Sequence, residues 1–332
     1  MFNSLQSLIF LSGMVMGVWI SIFNMSWIGV WVGLEMNLLC FIPFLTQSSK
    51  NYSEAGVSYF LTQACGSFIL LMAGVSMENF SGFMKVCISL ALLLKMGVSP
   101  FHFWYPWVAS ELKWEQFFFL STLQKLAPLI LLYSSELESS SSLIYLSIIM
   151  SGLVGGVGGI NESSIRKLLV YSSINHLGWI LIPLVGKNEF WVIYFFIYCF
   201  MLLNVVMMLI MHKIYYMNQL CSVMISWKGK LVLMVGLLSL GGMPPLLGFI
   251  SKWGVISMSV KSIEMVSLTV MVMSSVITLF YYTRAGFSVL ILNSANKFFY
   301  SVGLSVSIES YSLLVSLIGF WLSPIMVISF LQ

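Results

Sequence analysis

Aspartate is missing altogether from this 332-residue chain, and charge of either sign is scarce. Fifteen Lys and Arg and eleven acids, every one Glu, make up 8% of the sequence. A water-soluble domain carries about 25% charged residues because its surface must face water. A chain this long with so few charges cannot cover such a surface, so a soluble globular fold is excluded. The five cysteines (Cys40, Cys65, Cys87, Cys199 and Cys221) include no C-x-x-C pair and are odd in number. That pattern excludes a disulfide framework and an iron–sulfur cradle, and leaves them as packing residues. No Lys or Arg precedes Lys50, so a basic leader is lacking and no cleaved segment is expected. A net charge of +4 without any basic stripe interleaved with aromatics argues against a nucleic-acid partner.

What the chain has instead is apolar length. Hydrophobic residues reach 59% and the mean hydropathy is +0.99. Lipid admits only helices and closed barrels, since every backbone N–H and C=O must pair internally. The apolar runs are about 20 residues long and do not alternate, which selects helices over barrel strands. The expected fold is therefore all-α, a polytopic membrane protein forming a single transmembrane domain over residues 1–332. Cutting at polar clusters gives about eleven spans: 4–23, 25–46, 56–77, 83–106, 115–134, 142–160, 165–184, 190–212, 230–258, 265–283 and 312–331. Two are not simple. The fourth contains Pro100 and Pro106, and the ninth contains Gly241, Gly242, Pro244, Pro245 and Gly248. Proline removes a ladder hydrogen bond and clashes with the preceding turn, so both should be discontinuous.

The basic residues sort by side. Lys50, Lys113, Arg166, Lys167, Lys213, Lys228, Lys230, Arg284 and Lys297 fall in loops on the N-terminal side, against Lys85, Lys187 and Lys261 opposite. This positive-inside bias puts the N-terminus on the matrix or cytoplasmic side and, with an odd number of spans, Gln332 on the other.

Four charges fall inside the spans away from their ends: Glu35, Lys95, Lys125 and Lys252. The first three lie about ten residues from a helix end or a flanking charge, ~15 Å deep at 1.5 Å per residue. A charge at that depth costs about 2.5–3.5 kcal/mol and ordinarily faces a partner or a hydrated cavity. Snorkelling to the interface, a structural ion pair with Glu35, and a proton or ion pathway are the readings open to them. The depth of Lys95 and Lys125 and the helix breaks favour the pathway, since unwound backbone at membrane depth lines protein or water. Lysine suits proton transfer because a low-dielectric site favours its neutral form and a nearby carboxylate its charged form. In KMGVSP the lysine precedes the break and in GGMPPLLGFISK it follows, the mirrored order an inverted repeat produces. His176, in YSSINHLGW, and His102 also lie at depth, as relay groups or as satisfied hydrogen-bonding residues.

The stretches WVGLEMNLLCFIP, EAGVSYFLTQA, LKMGVSPFHFW, LQKLAP, IRKLLVYSSINHLGW and LSLGGMPPLLGFISKW, in this order over residues 31–253, resemble the subunit 2 family of mitochondrial NADH dehydrogenase. These are antiporter-like membrane-arm subunits of respiratory complex I. The resemblance implies antiporter-like inverted five-helix repeats, each with a discontinuous helix, and the loss of three N-terminal helices, which fits eleven spans. It implies a proton-translocating subunit of an NADH:ubiquinone reductase, driven by quinone reduction elsewhere, with Glu35, Lys95, Lys125 and Lys252 as functional residues and His176 as a linking group. No cofactor is then expected on this chain, with NADH, FMN, iron–sulfur clusters and ubiquinone on other subunits. Its partners would be the other membrane-arm subunits and phospholipids, cardiolipin included. The location implied is the mitochondrial inner membrane, N-terminus to the matrix and C-terminus to the intermembrane space. One position departs from the pattern: Trp107 follows Pro106 where the family commonly has an acid, with Glu111 one turn on. A free-standing cation/proton antiporter and a scaffold with merely structural charges are the rival readings. Missing helices and the absence of Asp for a sodium site count against the antiporter.

Overall fold

A computed structural model describes residues 5–46, 53–76, 81–135, 141–222, 227–244, 246–259 and 265–291. Fourteen helices occupy them: α1 (Leu5–Phe23), α2 (Trp27–Thr46), α3 (Ser53–Val75), α4 (Ser81–Met96), α5 (Trp104–Glu111), α6 (Trp114–Ser121), α7 (Leu123–Ser134), α8 (Ser141–Gly158), α9 (Ile165–Val185), α10 (Phe190–His212), α11 (Met217–Ser222), α12 (Trp227–Gly241), α13 (Leu247–Ser259) and α14 (Met265–Ile291). Helical segments fall on each of the first ten expected spans; the eleventh, 312–331, lies outside the described residues, as do Lys50, Lys261 and Lys297. Seven of the described segments are long and apolar enough to cross a membrane. Their outer faces carry large side chains that water would not tolerate together, such as Leu8, Ile9, Met16, Trp19 and Phe23 on α1, as a lipid-facing helix requires.

The chain divides into two compact units, Met1–Met150 and Ser151–Gln332. In the first, α1 packs on α2, α2 on α3, α3 on α4, and α7 against α1 and α4. In the second, α9 lies inside: 89% of its span is buried, against 28% for α1. It shows no polar face, which is the pattern of a helix surrounded by protein. Around it stand α10, α13 and α14, and α12 packs on α10 and α14. At one end an antiparallel bridge joins Ser164 to Tyr216.

Both units use the same close helix contact. A Cβ on Gly17 of α1 would lie 2.8 Å from Asn37 N and 2.9 Å from Gly33 O; one on Gly155 of α8 would lie 2.8 Å from Asn175 N and from Tyr171 O. The identical residue spacing in α1/α2 and α8/α9 is what repeated structure leaves behind. Glycine at these points lets two backbones touch, the usual device of helix association in lipid.

Both expected breaks are present, and they end alike. After α4, Val98 N donates to Leu93 O and Gly97 N to Leu94 O, with Gly97 at φ +69°. After α12, Met243 N donates to Leu238 O and Gly242 N to Ser239 O, with Gly242 at φ +83°. This is the Schellman ending, whose left-handed residue is tolerated best as glycine. Pro244 follows the second; Pro245 lies outside the described residues.

Three details differ from the sequence expectation. Pro106 does not break a helix: it is the third residue of α5, where its missing N–H has no intrahelical partner to lose. The 115–134 span is itself interrupted at Thr122 (φ −119°, ψ −76°). There Ser121 Oγ and Thr122 Oγ1 bond back to the carbonyls of Phe117 (2.9 Å) and Phe118 (2.7 Å), which bends helices. Helices also reach into assumed loops, so Lys85 lies in α4, Lys230 in α12 and Arg284 in α14.

Candidate functional site

In the first unit the three intramembrane charges sit on three elements. Glu35, in the middle of α2, is half-buried. Lys95, in the last turn of α4 just before the break, is buried. The Glu35 carboxylate is near enough for its charge to act on the Lys95 amine, although no direct ion pair joins them among the described residues. Gln63 of α3 donates to the Lys95 carbonyl at 3.2 Å, and Trp104 Nε1 to the Leu94 carbonyl at 3.3 Å. The first occupies a carbonyl that the ending of α4 leaves without a helical donor, and the second adds to the bond that Leu94 O takes from Gly97 N.

Lys125 lies one turn past the Thr122 interruption and is buried, with its ammonium 4.6 Å from the centre of the Tyr105 ring. A cation over a desolvated ring is stabilised by about 2 kcal/mol. Tyr105 also flanks the α4 break: its Cβ lies 3.3 Å from where a Cβ on Gly97 would be. Tyr105 therefore packs by its Cβ against the break after Lys95 and by its ring against the charge of Lys125. Beside it, Gln124 Nε2 donates to Asn37 Oδ1 at 3.1 Å, tying α7 to α2 two residues from Glu35.

In the second unit Lys252 is buried in α13 and its Nζ donates to Gly241 O, the last carbonyl of α12, at 2.8 Å. A cation at a helix C-terminus meets the negative end of its dipole. The neighbouring carbonyl, Leu240 O, lies 3.1 Å from His176 Nε2. A carbonyl only accepts, so Nε2 carries hydrogen. The other ring nitrogen, Nδ1, is 2.9 Å from the hydroxyl of Tyr194 on α10. Ser251, next to Lys252, donates to Gly248 O at 3.0 Å. No side chain could replace Gly248, since its Cβ would overlap Ser239 O; the start of α13 is thereby seated on the end of α12.

The first unit thus gathers Glu35, Lys95 and Lys125, and the second gathers Lys252 and His176. His102 lies within the α4–α5 break and stacks on Phe103 at 4.4 Å between centroids. Glu111 is exposed and bonds Ser110 Oγ at 3.4 Å, so it does not enter the cluster. Among the described residues no group of His, Cys and Glu side chains could hold a metal ion.

Sequence reasoning missed Gln63, Tyr105, Gln124, Tyr194 and Ser251. The two glutamines were detectable, being amides within apolar helices. Tyr105, Tyr194 and Ser251 were not, because aromatics and serines are abundant throughout.

Comparison with known proteins bears on this arrangement. Residues 24–278 match the family described as NADH:quinone oxidoreductase/Mrp antiporter, transmembrane. NADH-ubiquinone oxidoreductase chain 2 of Anopheles gambiae is 41% identical over 300 residues, covering 86% of each chain. A chain in respiratory complex I from Thermus thermophilus with bound aureothin superposes with a TM-score of 0.81 at 19% identity, covering 98% of this chain and 80% of that one. A chain of the Mrp complex from Dietzia sp. gives 0.80 at 14% identity, covering 97% and 75%. Both structural likenesses concern the fold.

Proposed function

The chain belongs to the NADH:quinone oxidoreductase/Mrp antiporter family, and on that premise we propose that it is a proton-translocating membrane-arm subunit of a respiratory NADH:ubiquinone oxidoreductase. It is a multi-pass membrane protein without a redox centre of its own in this reading. NADH, FMN, iron–sulfur clusters and ubiquinone are held by other subunits, and quinone reduction there drives it. Residues 1–332 act as one membrane domain of eleven spans in the mitochondrial inner membrane, N-terminus to the matrix and C-terminus to the intermembrane space. Other membrane-arm subunits and phospholipids, including cardiolipin, surround it.

The observation that carries this reading is the placement of three lysines at helix interruptions in an antiporter fold. Lys95 precedes the first break, Lys125 follows the Thr122 interruption and Lys252 caps the second broken helix. Proton movement needs groups whose charge changes with their surroundings. An amine held by a carboxylate, an aromatic ring or a helix terminus loses that support when the holder moves, and its proton with it. Glu35 supplies the movable counter-charge for Lys95, Tyr105 the ring under Lys125, and the end of α12 the carbonyl under Lys252. Each proton driven against 100 mV requires about 2.3 kcal/mol, which the loss of one such contact in a dry site provides.

Lys95→Met separates this reading from a scaffold. In the assembled oxidoreductase in proteoliposomes, NADH-driven proton pumping should collapse while the native-gel mobility of the complex is unchanged. Full pumping in that variant would leave the charges a structural role only.

A further inference from the structure

Amide side chains tie α2 to the α6–α7 pair on each side of the Thr122 interruption. On α6, Gln116 is buried. Its Oε1 accepts from Lys113 N at 3.2 Å, which turns its Nε2 toward α2. There Nε2 donates to Phe44 O at 2.8 Å and to Leu45 O at 3.1 Å. Both carbonyls belong to the last turn of α2, where the helix has no donor left for them. The Phe44 ring also meets Phe119 of α6 edge-on, at 5.7 Å between centroids. On α7, Gln124 Nε2 donates to Asn37 Oδ1 at 3.1 Å and lies 3.7 Å from Met14 Sδ of α1. Asn37 is buried as well.

The two ties are matched in spacing. Gln116 and Gln124 are eight residues apart, as are Asn37 and Leu45, and at 1.5 Å per residue each interval is ~12 Å. Within that interval the two partners differ. α2 runs as one helix from Trp27 to Thr46; Pro43, beside the Phe44 tie, removes one rung but does not end it. The α6–α7 pair is interrupted at Thr122. A continuous helix therefore lies across the break in a discontinuous one. The second tie also stands among the charges, since Asn37 is two residues from Glu35 and Gln124 adjoins Lys125.

We propose that Gln116, Gln124 and Asn37 are positioning residues, and that α2 splints the Thr122 interruption so that Glu35 and Lys125 keep one register. α7 cannot bend away from α6 without dragging Asn37 or parting an amide pair. When Asn37 is dragged, α2 tilts about its end at Gln116. Glu35 then changes its distance from Lys95, which stands on a different helix, α4. The ties thus pass a displacement beside Lys125 to Glu35. Uncharged amides suit this task, because they bond across helices in lipid without adding a charge beside Glu35 or Lys125.

This inference rests on the proton-pumping reading, which makes Glu35 the counter-charge of Lys95, and the test keeps the two apart. It uses the intact oxidoreductase in proteoliposomes, with assembly followed on native gels and pumping read per NADH. Gln124→Leu should assemble and pump about threefold less, the usual weight of one interhelical hydrogen bond in a membrane protein. Gln116→Leu, which opens the other tie, should lose pumping in the same way. Asn37→Gln combined with Gln124→Asn exchanges the two side-chain lengths and keeps both amides, so it should pump better than either single exchange. In a Glu35→Gln background, Gln124→Leu should cost nothing more. A double exchange no better than the singles, or an equal loss with and without Glu35, would overturn the positioning role and leave the amides as ordinary helix contacts. Should Gln124→Leu fail to assemble, Gln124→Asn takes its place in the Glu35→Gln comparison and the same outcomes decide. Undiminished pumping in Glu35→Gln alone would instead sink the reading of Glu35 as a movable counter-charge.

Discussion

Gly242→Ala tests whether the grip of Lys252 on the end of α12 matters. At φ +83° an alanine costs about 1–2 kcal/mol of left-handed strain. Its Cβ would also sit 2.7 Å from Lys252 Nζ and 3.0 Å from Cδ and Cε, so the end of that side chain must shift and its bond to the Gly241 carbonyl is weakened or lost. Losing a hydrogen bond from a charged group costs about 1.5–3 kcal/mol. Together the docked geometry is disfavoured by up to about 2.5–5 kcal/mol, roughly two to four powers of ten. Gly97→Ala provides the control. It carries the same strain at φ +69°, but its Cβ meets the ring of Trp104 at 3.2 Å and Tyr105 Cβ at 3.3 Å, with no amine in the way. Both variants would be assembled into the oxidoreductase, quantified on native gels, and measured for proton pumping per assembled complex. Pumping should fall by at least tenfold more in Gly242→Ala than in Gly97→Ala. Equal losses would show that backbone strain alone acts, and the argument for the lysine cap would be wrong.

Two further outcomes are expected. Glu35→Gln should leave the complex assembled and lower its coupled activity, because the Lys95 amine loses the charge that acts on it; Lys85→Gln, ten residues earlier on α4, should change pumping little, and a comparable loss in both would remove Glu35 from the pathway. Gly33→Ala places a Cβ 2.5 Å from Ser21 N and should cost about 1–3 kcal/mol through overpacking, seen as a smaller yield of assembled complex. Gly82→Ala, with nothing within 4 Å, should assemble like the parent, and equal yields of the two would contradict the α1–α2 contact.

Much of this architecture was legible because lipid makes sequence rules strict. A charge inside an apolar run has few explanations, so Glu35, Lys95, Lys125 and Lys252 stood out from spacing alone. Prolines marked both breaks for the same reason. The interruption at Thr122 was not legible, since neither proline nor glycine stands at it and the hydroxyls that bond back there look like the many others in the chain. Nor was the benign setting of Pro106, which depends on where α5 begins. The Tyr194 link was hidden because only three-dimensional packing distinguishes it from the many other aromatics.

The glycine contacts of α1/α2 and α8/α9 carry a mechanical consequence. Where backbone lies on backbone, no rotamer intervenes that could rearrange, so neither pair can slide or roll without a steric collision. Each helix pair is a stiff strut. Deformation is then confined to segments whose ladder is already open, the residues after Met96, around Thr122 and after Gly241. Those are the places where Lys95, Lys125 and Lys252 stand, so strain that reaches those segments falls on the buried amines beside them.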